Sequence, residues 1–118
     1  MALVRIENLR LRTIIGTYDH ERGIKQDIIT NIEFNYDSTI PEHNDDLHNA
    51  VDYKALIDEI EEEVGESQFY LLERLARFIL DIIIKHKDIT KAKVKLDKPD
   101  AIRFADCVSL ELNSEEKK

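Results

Sequence analysis

Apolar residues in this chain alternate at its two ends and recur at helical spacing in the middle. Val4 and Ile6 alternate with polar neighbours, and Leu9 and Leu11 alternate in the opposite phase. Alternation predicts a strand, and the one-residue slip near Glu7 or Asn8 predicts a bulge within it. Gly16 ends the run. Residues 17–26 then form a polar connection too long for a tight hairpin, with room to carry function. Ile28, Thr30, Ile32, Phe34 and Tyr36 alternate with Ile29, Asn31, Glu33 and Asn35, the signature of a half-buried strand. Residues 37–51 contain Pro41 and show little periodicity, so they read as a long loop.

Asp52 is placed as an N-cap for a helical stripe of Tyr53, Leu56, Ile57, Ile60 and Val64, and Gly65 is placed to end it. Glu61, Glu62 and Glu63 crowd the last turn and read as a solvated face. The most apolar stretch follows, over residues 69–87. Leu72, Leu75, Ile79, Ile82, Ile83 and His86 share one side of a helix there, and Arg74, Arg77, Asp81 and Lys85 the other. Ala92, Val94 and Leu96, then Val108, Leu110 and Leu112, predict two more strands. The order β-β-α-α-β-β predicts an α+β fold, with two helices on one face of a four-stranded antiparallel sheet. Its outer strands leave open edges, which assembly into a ring would cover.

With 118 residues the chain is the size of one domain. The expected division is a single domain over residues 1–113 and a frayed tail over 114–118. A net charge of −8 argues against a nucleic-acid partner. Cys107 is the lone cysteine, so neither an internal disulfide nor a cysteine-based zinc site is expected. Met-Ala-Leu-Val-Arg leads straight into the first strand pattern. With no signal segment and no membrane-length run in view, the expectation is a cytoplasmic protein without a membrane partner.

Three stretches carry a resemblance. Ile15-Gly16 is followed by Glu21 and Gln26. Asp45-Asp46 leads into Val51-Asp52-Tyr53. Phe69-Tyr70-Leu71-Leu72-Glu73-Arg74-Leu75 has Lys98 downstream. In this order the chain resembles the dihydroneopterin aldolase family, over nearly its whole length. Two further stretches, residues 8–13 and 101–109, are similar to the dihydroneopterin triphosphate 2'-epimerase branch. Thr17-Tyr18-Asp19 and Lys98-Pro99 also occur in aldolases. The resemblance implies the tunnelling fold, a homo-oligomer (tetrameric ring or octamer) with sites between subunits, a small dihydropterin substrate, and no metal or other cofactor.

It also implies roles. The family reaction breaks the bond between the first two side-chain carbons of a dihydropterin, and the ring's own imine takes up the electrons. The resemblance assigns catalysis to Lys98, Tyr53 and Glu21, and substrate binding to Glu73, Leu72, Tyr53 and Glu21. Glu73 would offer two acceptors to the paired N–H donors of the pterin edge, at the positive end of a helix. Lys98 would move protons with a bound water. A lysine working near neutrality needs burial or a cationic neighbour, and Arg103 is a candidate for the latter. Tyr53 would donate a proton to the enamine, and Glu21 would position the side-chain hydroxyls or the water. Arg22, Lys25, Lys54 and Arg103 are candidate contacts for a triphosphate.

Each residue also has a plainer reading. Glu73 could pair with Arg77 on the helix surface. Lys98 could be one of several surface lysines, Tyr53 an aromatic at the core's edge, and Glu21 an exposed loop acid. Two rival functions stay open. A zinc-dependent pterin enzyme would need clustered histidines, but His20, His43, His48 and His86 show no ligand spacing. A ring-forming binding protein without catalysis would not bind pterin at all.

Overall fold

A computed structural model describes residues 1–99 and 101–114. Five strands form one mixed sheet: β1 (Ala2–Ile15), β2 (Gln26–Tyr36), β3 (Gln68–Phe69), β4 (Ile89–Pro99) and β5 (Cys107–Asn113), in the order β3-β1-β2-β4-β5. Three helices complete the domain: α1 (Thr39–Asn44), α2 (Tyr53–Gly65) and α3 (Leu72–Ile84). The α+β class and the four principal strands match the periodicity. The four-stranded antiparallel sheet is corrected: β3 adds a fifth strand, parallel to β1, pairing Gln68 with Ile14 and Phe69 with Ile15. Two residues carry no readable period, so β3 is invisible in the pattern. Residues 37–51 are also less irregular than expected, because α1 forms there. Pro41 lies in its first turn, where a missing N–H leaves no hydrogen bond unmade.

The phase slip in β1 is a bulge. Its register against β2 shifts between Ile6 and Leu9. Asn8 takes a left-handed φ of 56°, and its N–H is held by Asn31 Oδ1 at 2.9 Å. Beyond the bulge, Leu11, Thr13 and Ile15 are buried. Asp52 caps α2 by accepting the Ala55 N–H at 3.0 Å. Leu56, Ile60 and Val64 of α2 and Leu75, Ala76, Ile79, Leu80, Ile82 and Ile83 of α3 are buried. They pack with Ile28, Ile32, Phe34, Val94 and Leu96 of the sheet. The opposite sheet face is polar, with Glu33 bridging Arg5 at 3.0 Å and Lys93 at 3.3 Å. Ser114, expected in the tail, accepts the Ala92 N–H on its hydroxyl at 3.0 Å. Residues 115–118 lie outside the described residues.

Candidate functional site

Strand register brings one end of the sheet together. Thr13 near the end of β1 faces Gln26 at the start of β2. Ile29 of β2 faces Asp97 near the end of β4. The connection from Gly16 to Lys25 therefore folds over the C-terminal end of β4. That is how Lys98 Nζ reaches Glu21 Oε2 at 2.5 Å across 77 residues of sequence. Both side chains are largely withdrawn from solvent, at 12% and 11% exposure.

Glu21 is held from several sides. Its carboxylate accepts the Tyr18 N–H at 3.2 Å and the Gln26 Nε2 at 3.3 Å, besides Lys98. Gln26 is itself fixed by donating to the Ile15 carbonyl at 2.8 Å. Gly16 packs against this carboxylate with φ +129°, and a Cβ there would overlap it. Only glycine fits that close approach. Burial pushes the Glu21 carboxyl up, but hydrogen bonds from Lys98, Gln26 and the Tyr18 amide, with the Lys98 charge, outweigh it. The group is held down at about 2 and stays ionised near neutrality.

This pair lines an open pocket of about 390 Å³ with Tyr18, His20, Ile24, Gln26 and Ala101. The Tyr18 and His20 rings are stacked, 5.7 Å between centroids. Gln26 was legible only as part of a family stretch. A glutamine opening a strand gives no sign of its partner.

The other candidates are distributed more widely. Glu73 is exposed in the first turn of α3. The N-cap, Leu71, makes no side-chain cap, so the first-turn N–H groups keep their positive end open. Among the described residues no ion pair joins Glu73 to Arg77, and Arg74 instead lies over the Phe69 ring at 4.9 Å. Leu72 is half-buried against the core. Tyr53 is exposed at the first residue of α2. The far end of that helix feeds β3, and twelve steps of 1.5 Å put Tyr53 about 18 Å from that end. Tyr53 is not among the residues that line the Glu21–Lys98 pocket.

The candidate cations have contacts of their own. Arg103, offered as a cationic neighbour for Lys98, lies over Phe104 at 5.2 Å, and the group that meets Lys98 is the Glu21 carboxylate. Arg22, offered as a phosphate contact, donates instead to the carbonyls of Gly16 (3.0 Å), Phe69 (3.1 Å) and Gln68 (2.8 Å). Lys54 pairs with Asp58 at 3.2 Å, one turn along α2. Lys25 is exposed beside the pocket. No group of three or more His, Cys, Asp or Glu side chains is placed to hold a metal among the described residues.

A mixed sheet backed by two long helices, with a withdrawn acid–amine pair at its end, places the chain among small single-sheet α+β proteins. Comparisons sharpen this. The family model for dihydroneopterin aldolase (FolB) matches residues 4–113, so the chain belongs to the dihydroneopterin aldolase family. It is 38% identical to dihydroneopterin triphosphate 2'-epimerase of Escherichia coli K12, over 95% of this chain and 93% of the relative. It is 30% identical to dihydroneopterin aldolase of the same organism, over 89% of this chain and 86% of the relative. The crystal structure of E. coli dihydroneopterin aldolase in complex with neopterin superposes with a TM-score of 0.89, at 28% identity, covering 96% of this chain and 98% of that one.

Proposed function

We propose that this chain is a dihydropterin retro-aldol and aldol enzyme. Its main activity is 2'-epimerisation of dihydroneopterin triphosphate, or of dihydroneopterin, to the monapterin configuration. Cleavage of dihydroneopterin to 6-hydroxymethyl-dihydropterin and glycolaldehyde is the second activity. The observation that carries this is the Lys98–Glu21 pair, 2.5 Å apart at the mouth of a pocket. The higher identity to the epimerase than to the aldolase favours the order of the two activities.

The chemistry runs as follows. The pterin edge docks on Glu73, with two N–H donors facing two carboxylate oxygens. Lys98, entering the step as the free amine after passing one proton to solvent, takes the proton of the 2'-hydroxyl through a bound water. The O–H electron pair becomes the aldehyde C=O, and the C1'–C2' bond pair flows into the ring imine to give an enamine. Protonation of C1' by Tyr53 releases the aldolase products. Turnover of the retained aldehyde and re-addition gives the epimer. Glu21 keeps Lys98 oriented and stays anionic, so it is an acceptor throughout.

The position of Tyr53 about 18 Å along α2 from β3 supports a site completed by a neighbouring copy. Among the described residues one edge of β5 and most of one edge of β1 pair with no other strand, which supports ring closure. No helix among the described residues is long and apolar enough to cross a membrane, and we take the enzyme to be cytoplasmic. Lys25, Lys54 and Arg103 remain the proposed triphosphate contacts.

Incubation with dihydroneopterin and with its triphosphate, followed by chiral separation of the products, tests the reading. Monapterin-configured product from either substrate is expected. No conversion of either, by protein that is folded and assembled, refutes it. Charge reversal at Lys25 and Arg103 should weaken use of the triphosphate far more than use of dihydroneopterin, and equal losses would remove the triphosphate role.

A further inference from the structure

Arg22 occupies a place that the reaction scheme leaves without a task. It follows Glu21 at the end of the single helical turn Asp19–Glu21, and its N–H closes that turn on the Asp19 carbonyl at 3.2 Å. Its guanidinium reaches out of the loop. One nitrogen donates to both the Gly16 and Phe69 carbonyls, and the other to the Gln68 carbonyl. Its Cζ lies over the Tyr70 ring, 4.1 Å from the centre. These contacts cross from the loop that holds Glu21 to the strand that leads, within three residues, into α3 and Glu73.

Other contacts join β1 to β3 beside it. β3 pairs with β1 over two residues only. The Gly16 N–H adds a 3.3 Å bond to the Phe69 carbonyl, and Thr13 Oγ1 meets the Ser67 carbonyl and hydroxyl at 3.0 and 2.9 Å. A planar fork with three donor contacts and a stacked face fixes an angle as well as a distance, which a lysine cannot do.

We propose that Arg22 is a positioning residue that sets the span between the proton-moving pair Glu21–Lys98 and the ring anchor Glu73. The proposal rests on the roles assigned above. It specifies that ring grip and proton transfer are held in register by one side chain that touches neither the ring nor the transferred proton. Loss of the fork leaves each half-site intact and misaligns them. Misplacement by about 1 Å is enough to cost on the order of 100-fold in rate.

The test uses the assembled enzyme and three variants: Arg22→Met, Arg22→Lys and Tyr70→Leu. Each is measured for kcat and KM on dihydroneopterin, and for binding of pterin itself, which has no side chain, by fluorescence. Arg22→Met is expected to lower kcat by about 10- to 100-fold while pterin binding changes less than about threefold. Arg22→Lys should recover part of kcat. Tyr70→Leu, which keeps the hydrogen bonds and removes the stacked face, should give the same split on a smaller scale. It carries the test if Arg22→Met does not fold. Unchanged kcat in a folded variant overturns the proposal. So does a loss of pterin binding as large as the loss of kcat, which would make Arg22 part of the ring site or of the scaffold. Wild-type enzyme that converts no dihydropterin overturns the assigned roles, and the proposal with them. That outcome is seen before any variant is made.

Discussion

Removing the Lys98 ammonium tests the centre of the site most directly. Glu21 keeps its charge at 11% exposure because three donors face it, one of them the Lys98 cation. A carboxyl lowered from 4.5 to about 2 stabilises the fold by about 3 kcal/mol near neutrality, at roughly 1.4 kcal/mol per unit. Solvent in the open pocket screens part of that, and Gln26 and the Tyr18 amide hold a further share. The coupling assignable to the pair is therefore about 1–3 kcal/mol. Lys98→Met, Glu21→Gln and the double variant form the cycle, measured by urea unfolding at one protomer concentration, since assembly would couple stability to concentration. Each single change should cost more than its share of the double change, because each leaves a withdrawn group without its partner. The pH sign follows from a folded value below the unfolded one. The Glu21 contribution is complete above about pH 4.5 and is lost as pH falls through 2, so by pH 3 less than about half remains. Lys98→Met should also lower kcat by about 10²- to 10⁴-fold. Additive single effects, within about 0.5 kcal/mol, would show that the two groups lie close without acting on each other, and the reasoning fails.

Glu73→Gln turns one acceptor into a donor opposite the pterin edge. Neopterin affinity, by fluorescence titration, should fall roughly 10- to 150-fold, the equivalent of a charged hydrogen bond, with the melting temperature unchanged because the side chain is exposed. Gly16→Ala must take a φ of +129° and displace the Glu21 carboxylate. It should cost about 1–3 kcal/mol in thermal unfolding and lower kcat as well. Tyr53→Phe and Lys98→Met should each be nearly inactive. Mixed by dissociation and reassembly, they should recover on the order of a quarter of wild-type activity if each site draws on two copies, and none if one copy holds both residues.

The long elements were legible because their patterns have many repeats. The slip between Ile6 and Leu9, the cap at Asp52 and the apolar stripe of α3 each follow from residue order and agree with the structure. β3 was not legible, since two residues establish no period. α1 was hidden in a segment where proline and acidic residues imitate a loop. The site was legible only in part. Glu21 and Lys98 were singled out separately, on resemblance, and nothing in either neighbourhood says that they touch. Their meeting depends on three registers at once, β1 on β2, β2 on β4, and the turn after Gly16.

Arg22 shows what composition does not record. A cation in a polar loop beside a proposed triphosphate site reads as a phosphate contact, and its charge is indeed free of any carboxylate partner among the described ion pairs. Carbonyl oxygens satisfy it instead, and sequence records no side chain for them. The consequence is physical. Guanidinium bound to three backbone carbonyls ties chain to chain through groups that side-chain changes at Gln68 or Phe69 do not remove. A change at position 22, or a shift of the backbone itself, removes the fork, while the Gly16–Phe69 and Thr13–Ser67 bonds still join β1 to β3. For the same reason the spacing between Glu21 and Glu73 is carried by backbone geometry and one side chain, while the chemistry is carried by residues on either side of it.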